Sequence, residues 1–136
     1  MKAPFKEHSL FFAPMEGVTD ECYRSVINHL FPEWDYISTD FLRIPTVGIY
    51  PDKHIIKHYG EMTFNSPEQK NKTLYQILTS ESAFTKEHIE RIQALGFDWL
   101  DINLGCPSKT VCKSDIKGIL SCHSLGSDSG VISRAA

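Results

Sequence analysis

Asp101-Ile102-Asn103-Leu104-Gly105-Cys106-Pro107-Ser108-Lys109-Thr110-Val111 decides how this chain reads. Trp99, Leu100 and Ile102 give its start the apolar character of a short strand. A Gly-Cys-Pro turn then gathers an amide, a thiol, a hydroxyl and an amine at Asn103, Cys106, Ser108 and Lys109. A strand that feeds a polar, reactive loop is the usual layout of an α/β site, because the sheet fixes position while the loop carries the chemistry. The same residues also read as a strand and a tight turn with Cys106 a small buried filler, since free cysteine is among the most buried residue types.

Upstream, Ser9-Leu10-Phe11-Phe12-Ala13 is a continuous apolar run that suits a strand buried on both faces. Pro14 to Val18 ends it in a loop, and Thr19 is a fair helix N-cap with Asp20 and Glu21 in the first turn. Cys22, Tyr23, Val26, Ile27 and Leu30 recur at helical spacing and predict the buried stripe of a helix stopped by Pro32. Asp35 to Phe41 predicts a second strand, and His54 to Tyr59 a helix that gives way to a polar loop at Asn65-Ser66-Pro67. Lys72 to Leu78 predicts a third strand. Ser80 or Ser82 then caps a helix with Phe84, Ile89, Ile92 and Leu95 inward, Glu87 and Arg91 at pair spacing, and Gly96 as its C′ residue. Trp99 to Asn103 is the fourth strand.

This β-α-β-(α)-β-α-β order predicts a parallel sheet with right-handed crossovers and functional groups at the carboxyl ends of the strands. Met15-Glu16, Thr39-Asp40, Gln76 and Asn103 to Cys106 cluster where that rule points. From Ser114 to Ala136 the chain is rich in Ser and Gly without a sustained period, and reads as an irregular tail.

The totals set bounds. A chain of 136 residues is one domain's worth, and 41% hydrophobic with 23% charged residues is ordinary for a soluble globular protein. A net charge of −3 and a pI near 6.0 give no bulk signal for a nucleic-acid partner. The four cysteines, Cys22, Cys106, Cys112 and Cys122, are too sparse for a disulfide scaffold and fail the usual zinc spacings. No metal is expected, and reduced thiols in a cytoplasmic protein are the default reading. Met1 to His8 lacks the apolar core of a signal peptide, and no run approaches membrane-spanning length.

Two segments carry more than a generic α/β reading. Ala13-Pro14-Met15-Glu16-Gly17-Val18-Thr19-Asp20 and Asp101 to Val111 closely resemble the tRNA-dihydrouridine synthases, with Thr39 to Arg43 and Tyr75 to Leu78 in the right order between them. The resemblance runs from about Leu10 to Val111. It implies a TIM-type (β/α)8 barrel that binds FMN, is reloaded by NADPH, and reduces the C5–C6 double bond of a uridine in the tRNA D-loop. Reduced FMN would deliver hydride to C6, and Cys106 matches the family's proton donor to C5. The chemistry suits a thiol, because an unperturbed cysteine is still protonated at neutral pH, and Pro107 restricts its backbone.

By the same resemblance Pro14, Met15 and Glu16 lie along the flavin, Gln76 bonds its ring edge, and Asn103 contacts the substrate. Gln76 also stands out by itself, since an amide inside an apolar strand needs a partner. Met15 alone reads more readily as core filling. Arg43 and Lys109 could meet RNA phosphate, though each alone reads as a solvated charge.

The resemblance covers only about half a barrel, roughly four strands, because a full one takes about 250 residues. Residues 1–113 are expected to form the first part of the FMN-binding barrel and residues 114–136 an irregular, unmatched tail. The family's later lysine, histidine and phosphate-site segments have no match here. An open half-barrel leaves strand edges unpaired, so self-association or aggregation is expected, and the chain alone is expected to be inactive. The alternatives are another FMN-barrel oxidoreductase acting on a small pyrimidine or enone, and a truncated, non-catalytic product.

Overall fold

The computed structural model describes residues 5–79, 84–103 and 131–134. Their elements are β1 (Phe11–Phe12), α1 (Glu21–Leu30), β2 (Tyr36–Ser38), β3 (Leu42–Arg43), α2 (Asp52–Tyr59), α3 (Glu61–Asn65), α4 (Pro67–Lys72), β4 (Thr73–Leu78), α5 (Thr85–Ala94), β5 (Leu100–Asn103) and β6 (Val131–Arg134). Every strand pair is parallel, in the order β1-β2-β4-β5-β6, with β3 also against β4. The α/β expectation is met by a parallel sheet with interleaved helices.

The second expected strand is split. Ile37 and Ser38 pair with Thr73 and Leu74, whereas Leu42 and Arg43 pair with Ile77 and Leu78, so Thr39, Asp40 and Phe41 face only Tyr75 and Gln76. This one-residue bulge breaks the ladder. The Thr39 hydroxyl repairs it by accepting the Gln76 backbone N–H at 2.9 Å, while Thr39 donates its own N–H to the Leu74 carbonyl.

Side chains alternate across the sheet. One face carries Leu42, Tyr75, Ile77, Leu100 and Ile102, which form a single core with Ile55 and Tyr59 of α2, Ile92 of α5, and Phe97. Tyr59 and Tyr75 stack with their rings 5.7 Å apart and donate their hydroxyls to the Thr73 and Ile55 carbonyls. Burial pushes both phenols well above the ordinary tyrosine range, so they act as neutral donors.

Several expectations are corrected. The first strand is only Phe11–Phe12 rather than Ser9 to Ala13. The N-cap of α1 is Asp20, which accepts the Tyr23 N–H at 2.8 Å. Thr19 is buried and turns instead to the Met15 N–H. The predicted stripe is not the seated one: Cys22 is exposed, and Val26 and Leu30 are 54% and 60% exposed. Arg24 is the buried residue of α1 and donates to the Thr19 and Tyr59 carbonyls. Those two bonds rotate the helix away from its apolar stripe, because a buried guanidinium must find acceptors. Desolvation pulls Arg24 below the ordinary arginine value, against the pull of Glu21, Tyr59 and Asp20.

The expected polar loop around Ser66 is a junction between two short helices, with Ser66 capping α4 and Pro67 in its first turn. Gly60 (φ +111°) has no Cβ, which leaves room for Glu21 to pack there, and Glu21 accepts the Thr63 N–H in the first turn of α3 at 2.6 Å. Arg91 pairs with Asp52 of α2 rather than with Glu87. Gly96 ends α5 with φ +79°, as expected of a C′ residue. The Ser80 and Ser82 caps lie outside the described residues. Within the stretch expected to be irregular, Val131–Arg134 is a strand on the outer edge of β5, where unpaired backbone groups offer a ladder.

Candidate functional site

On the sheet face turned away from the helices, the character changes along the strands. Toward the amino ends, Phe11, Tyr36 and Trp99 close around Phe5, whose ring centroid lies 4.4 Å from Trp99 and 4.7 Å from Tyr36. Toward the carboxyl ends the same parity brings together Ser38, Gln76, Asp101 and Asn103, with Leu78 opposite Asn103. An apolar floor beneath a polar rim is the layout that seats a ligand on a parallel sheet.

The rim is one hydrogen-bonded network. Gln76 and Asp101 are register partners on β4 and β5, and Gln76 donates from Nε2 to Asp101 Oδ2 at 2.7 Å. Ser38 donates to the same oxygen at 3.0 Å. Asn103 donates from Nδ2 to Gln76 Oε1 at 3.4 Å. Gln76 and Asp101 are 5% and 3% exposed, and Asp101 Oδ1 is buried with no hydrogen-bond partner among the described residues. Such a group normally costs about 1–3 kcal/mol, so its presence on this face marks a place where stability has been surrendered.

The loop after β1 stands at the same end of the sheet. Met15 donates its N–H to Thr19 Oγ1 at 2.7 Å, Val18 and Thr19 donate theirs to the Met15 carbonyl, and Gly17 donates to Asp40 Oδ2 at 2.9 Å. Asp40 thereby ties the β1–α1 loop to the bulge after β2. His58 donates from Nε2 to the Asp40 carbonyl at 2.8 Å. Burial lowers the His58 pKa from 6.5, only partly offset by that carbonyl. Pro14 is half-buried, while Met15 and Glu16 are exposed. With strands about 4.8 Å apart, the loop lies roughly 10 Å across the sheet from Gln76.

Of the residues singled out from sequence, the structure unites Gln76 and Asn103 in one network and sets Pro14, Met15 and Glu16 on the same rim. Arg43 is exposed at the end of β3, its guanidinium 5.9 Å from the Phe41 ring. Cys106 and Lys109 lie outside the described residues. Ser38 and Asp101 were given no role in the sequence reading, yet they complete the network. Their signal was the period of two that puts Asp101 and Asn103 on one face of an otherwise apolar strand.

Among the described residues no group of three or more His, Cys, Asp or Glu side chains could hold a metal ion. No helix among them is long and apolar enough to cross a membrane. A small cleft of about 10 Å³ between α1 and α4 is lined by Arg24, Ser25, Asn28, Ile37, Gln69, Lys72 and Thr73. That is room for one water, on which the unpartnered Arg24 Nε and Asn28 Oδ1 could converge.

Comparison with known proteins places the chain in a family. The tRNA-dihydrouridine(16) synthase of Shewanella oneidensis is 30% identical over 112 residues, covering 82% of this chain and 35% of that protein. The enzyme of the same name from Shigella flexneri is 33% identical over 104 residues, covering 75% and 32%, and that of Yersinia pestis is 32% identical over 103 residues, covering 75% and 32%. The chain therefore spans about a third of the length of these curated relatives. No solved structure matches. The sequence model of the family "Dihydrouridine synthase (Dus)" matches residues 11–120, a span that includes both strands that carry Gln76 and Asn103, and the chain belongs to that family.

Proposed function

We propose that this chain carries the flavin- and uridine-facing part of a tRNA-dihydrouridine synthase, reducing a D-loop uridine to 5,6-dihydrouridine. The observation that carries this reading is the buried Ser38–Gln76–Asp101–Asn103 network on the inner face of the sheet, at the carboxyl ends of its strands. FMN fits it: the edge of an isoalloxazine ring offers both N–H and C=O groups, and this face offers a buried amide and an unpartnered carboxylate oxygen. When bound and reduced by NADPH, FMN supplies the hydride.

The chain's own residues do the rest. Pro14, Met15 and Glu16 flank the ring from the braced loop, and Gln76 bonds its edge. Asn103 holds the uracil, and Cys106 gives its thiol proton to C5 as the double bond is reduced. Arg43 and Lys109 meet phosphate. A tRNA substrate would place the reaction in the cytoplasm. Residues 1–113 form the barrel part and 114–136 lie beyond it, with β6 joining the sheet. Turnover by these 136 residues alone is expected to be negligible, because they span only about a third of the length of the synthases they match.

The test is to purify the chain, titrate it with FMN, and assay dihydrouridine formation on unmodified tRNA with NADPH. Bound flavin without turnover supports the reading. Reduction of free uracil or orotate in preference to tRNA replaces it with another flavin-barrel reductase. A folded chain that binds neither flavin nor tRNA sinks it.

A further inference from the structure

We infer that Asp101 is a positioning residue that sets the polarity of the amide chain Gln76–Asn103, so that each amide presents a defined end to whatever binds the inner face. The inference rests on reading that face as the flavin site, but its geometry stands independently.

An amide side chain can turn either end outward, and only its partners decide which. A carboxylate is an acceptor with nothing to donate. Beside Asp101 Oδ2, Gln76 must therefore present Nε2, and it does so at 2.7 Å. That turns Gln76 Oε1 toward Asn103, which in turn must present Nδ2. The end of Asn103 that meets Gln76 is thus matched to the oxygen that Asp101 leaves facing it, two hydrogen bonds along the chain. Ser38 adds a second donor to Oδ2 and holds the carboxylate in place.

A structural role alone explains this poorly. The carboxylate is 3% exposed and one of its oxygens has no partner, a half-satisfied arrangement that an apolar side chain would avoid. What the carboxylate provides, and no neutral side chain can, is an unambiguous direction. An asparagine at this position would keep the shape and lose the direction, since it could accept or donate.

The experiment compares the wild-type chain with Asp101→Asn and Ser38→Ala, using side-chain amide NMR signals and FMN titration. Asp101→Asn is expected to move the amide signals of both Gln76 and Asn103 and to weaken FMN binding about tenfold, the size of one misdirected hydrogen bond. Ser38→Ala keeps the direction and leaves the Asn103 signals in place. Unchanged Asn103 signals in Asp101→Asn overturn the inference, as does unchanged FMN affinity where the wild type binds. A wild type that binds no FMN instead removes the cofactor reading, and the amide signals still decide the polarity. Should Asp101→Asn unfold, hydrogen-bond coupling in the wild type decides: coupling from Gln76 Nε2 to Asp101 Cγ supports the inference, and coupling from Gln76 Nε2 to Asn103 Cγ overturns it.

Discussion

The two faces of this one sheet are built on opposite principles. The helix-covered face joins Tyr75, Ile77, Leu100 and Ile102 to Ile55, Tyr59, Ile92 and Phe97 in a closed apolar core. The opposite face sets Ser38, Gln76 and Asp101 into equally buried positions, and leaves one carboxylate oxygen with no partner. Residues that alternate along the same two strands thus serve different ends. One set gains free energy by leaving water, and the other gives some back to hold polar groups in a fixed arrangement. Burial by itself does not distinguish core from site; partner chemistry does.

That contrast breaks most visibly on the apolar side. Ile77→Ala should destabilise the chain by about 3–4 kcal/mol in urea denaturation, since Ile77 is fully buried in the core. A loss below about 1 kcal/mol would mean that the helices do not seal this face. Arg24→Met should cost about 2 kcal/mol by leaving the Thr19 and Tyr59 carbonyls without their donor. Stability equal to wild type would show that α1 is held by its apolar residues after all. Asp20→Ala removes the cap on Tyr23 N–H and should cost about 1 kcal/mol, read as helix fraying by hydrogen exchange. Asp101→Asn should cost about 1 kcal/mol, because its shape is kept while its amide end still lacks a partner, and its effect on binding is larger.

The smallest effect sharpens the link between the loop and the sheet. His58 is held neutral by burial, so its folded pKa lies below the unfolded value of 6.5. Its contribution to stability is complete above that value and is lost as the pH falls below it. His58→Gln should flatten the fall in melting temperature on the acid side of pH 6.5, and an unchanged slope would assign the pH dependence elsewhere.

The helix-covered face was legible because strands and helices announce themselves by period: β4, α5 and β5 fall where Lys72 to Leu78, Phe84 to Leu95 and Trp99 to Asn103 predict them. The seating of α1 was not legible. Its apolar stripe of Cys22, Val26 and Leu30 is regular in sequence, yet Arg24 turns inward, where one of its two acceptors, the Tyr59 carbonyl, comes from far along the chain. Likewise Gln76 was recognisable as an amide in need of a partner, but the partner, Asp101, lies 25 residues away and meets it only through strand register.

Local sequence therefore determined the alternation of strands and helices, the residue motif at Asp101 to Val111, and through it the family. Those features depend on side-chain period and on neighbours within a few residues. Tertiary structure alone decided which buried residues are core and which are rim. It also decided which way α1 faces, and that Asp101 joins Gln76 and Asn103 into one directed chain. Hydrogen-bond direction and helix rotation are settled by partners brought together across the sheet, and no period in the sequence records them.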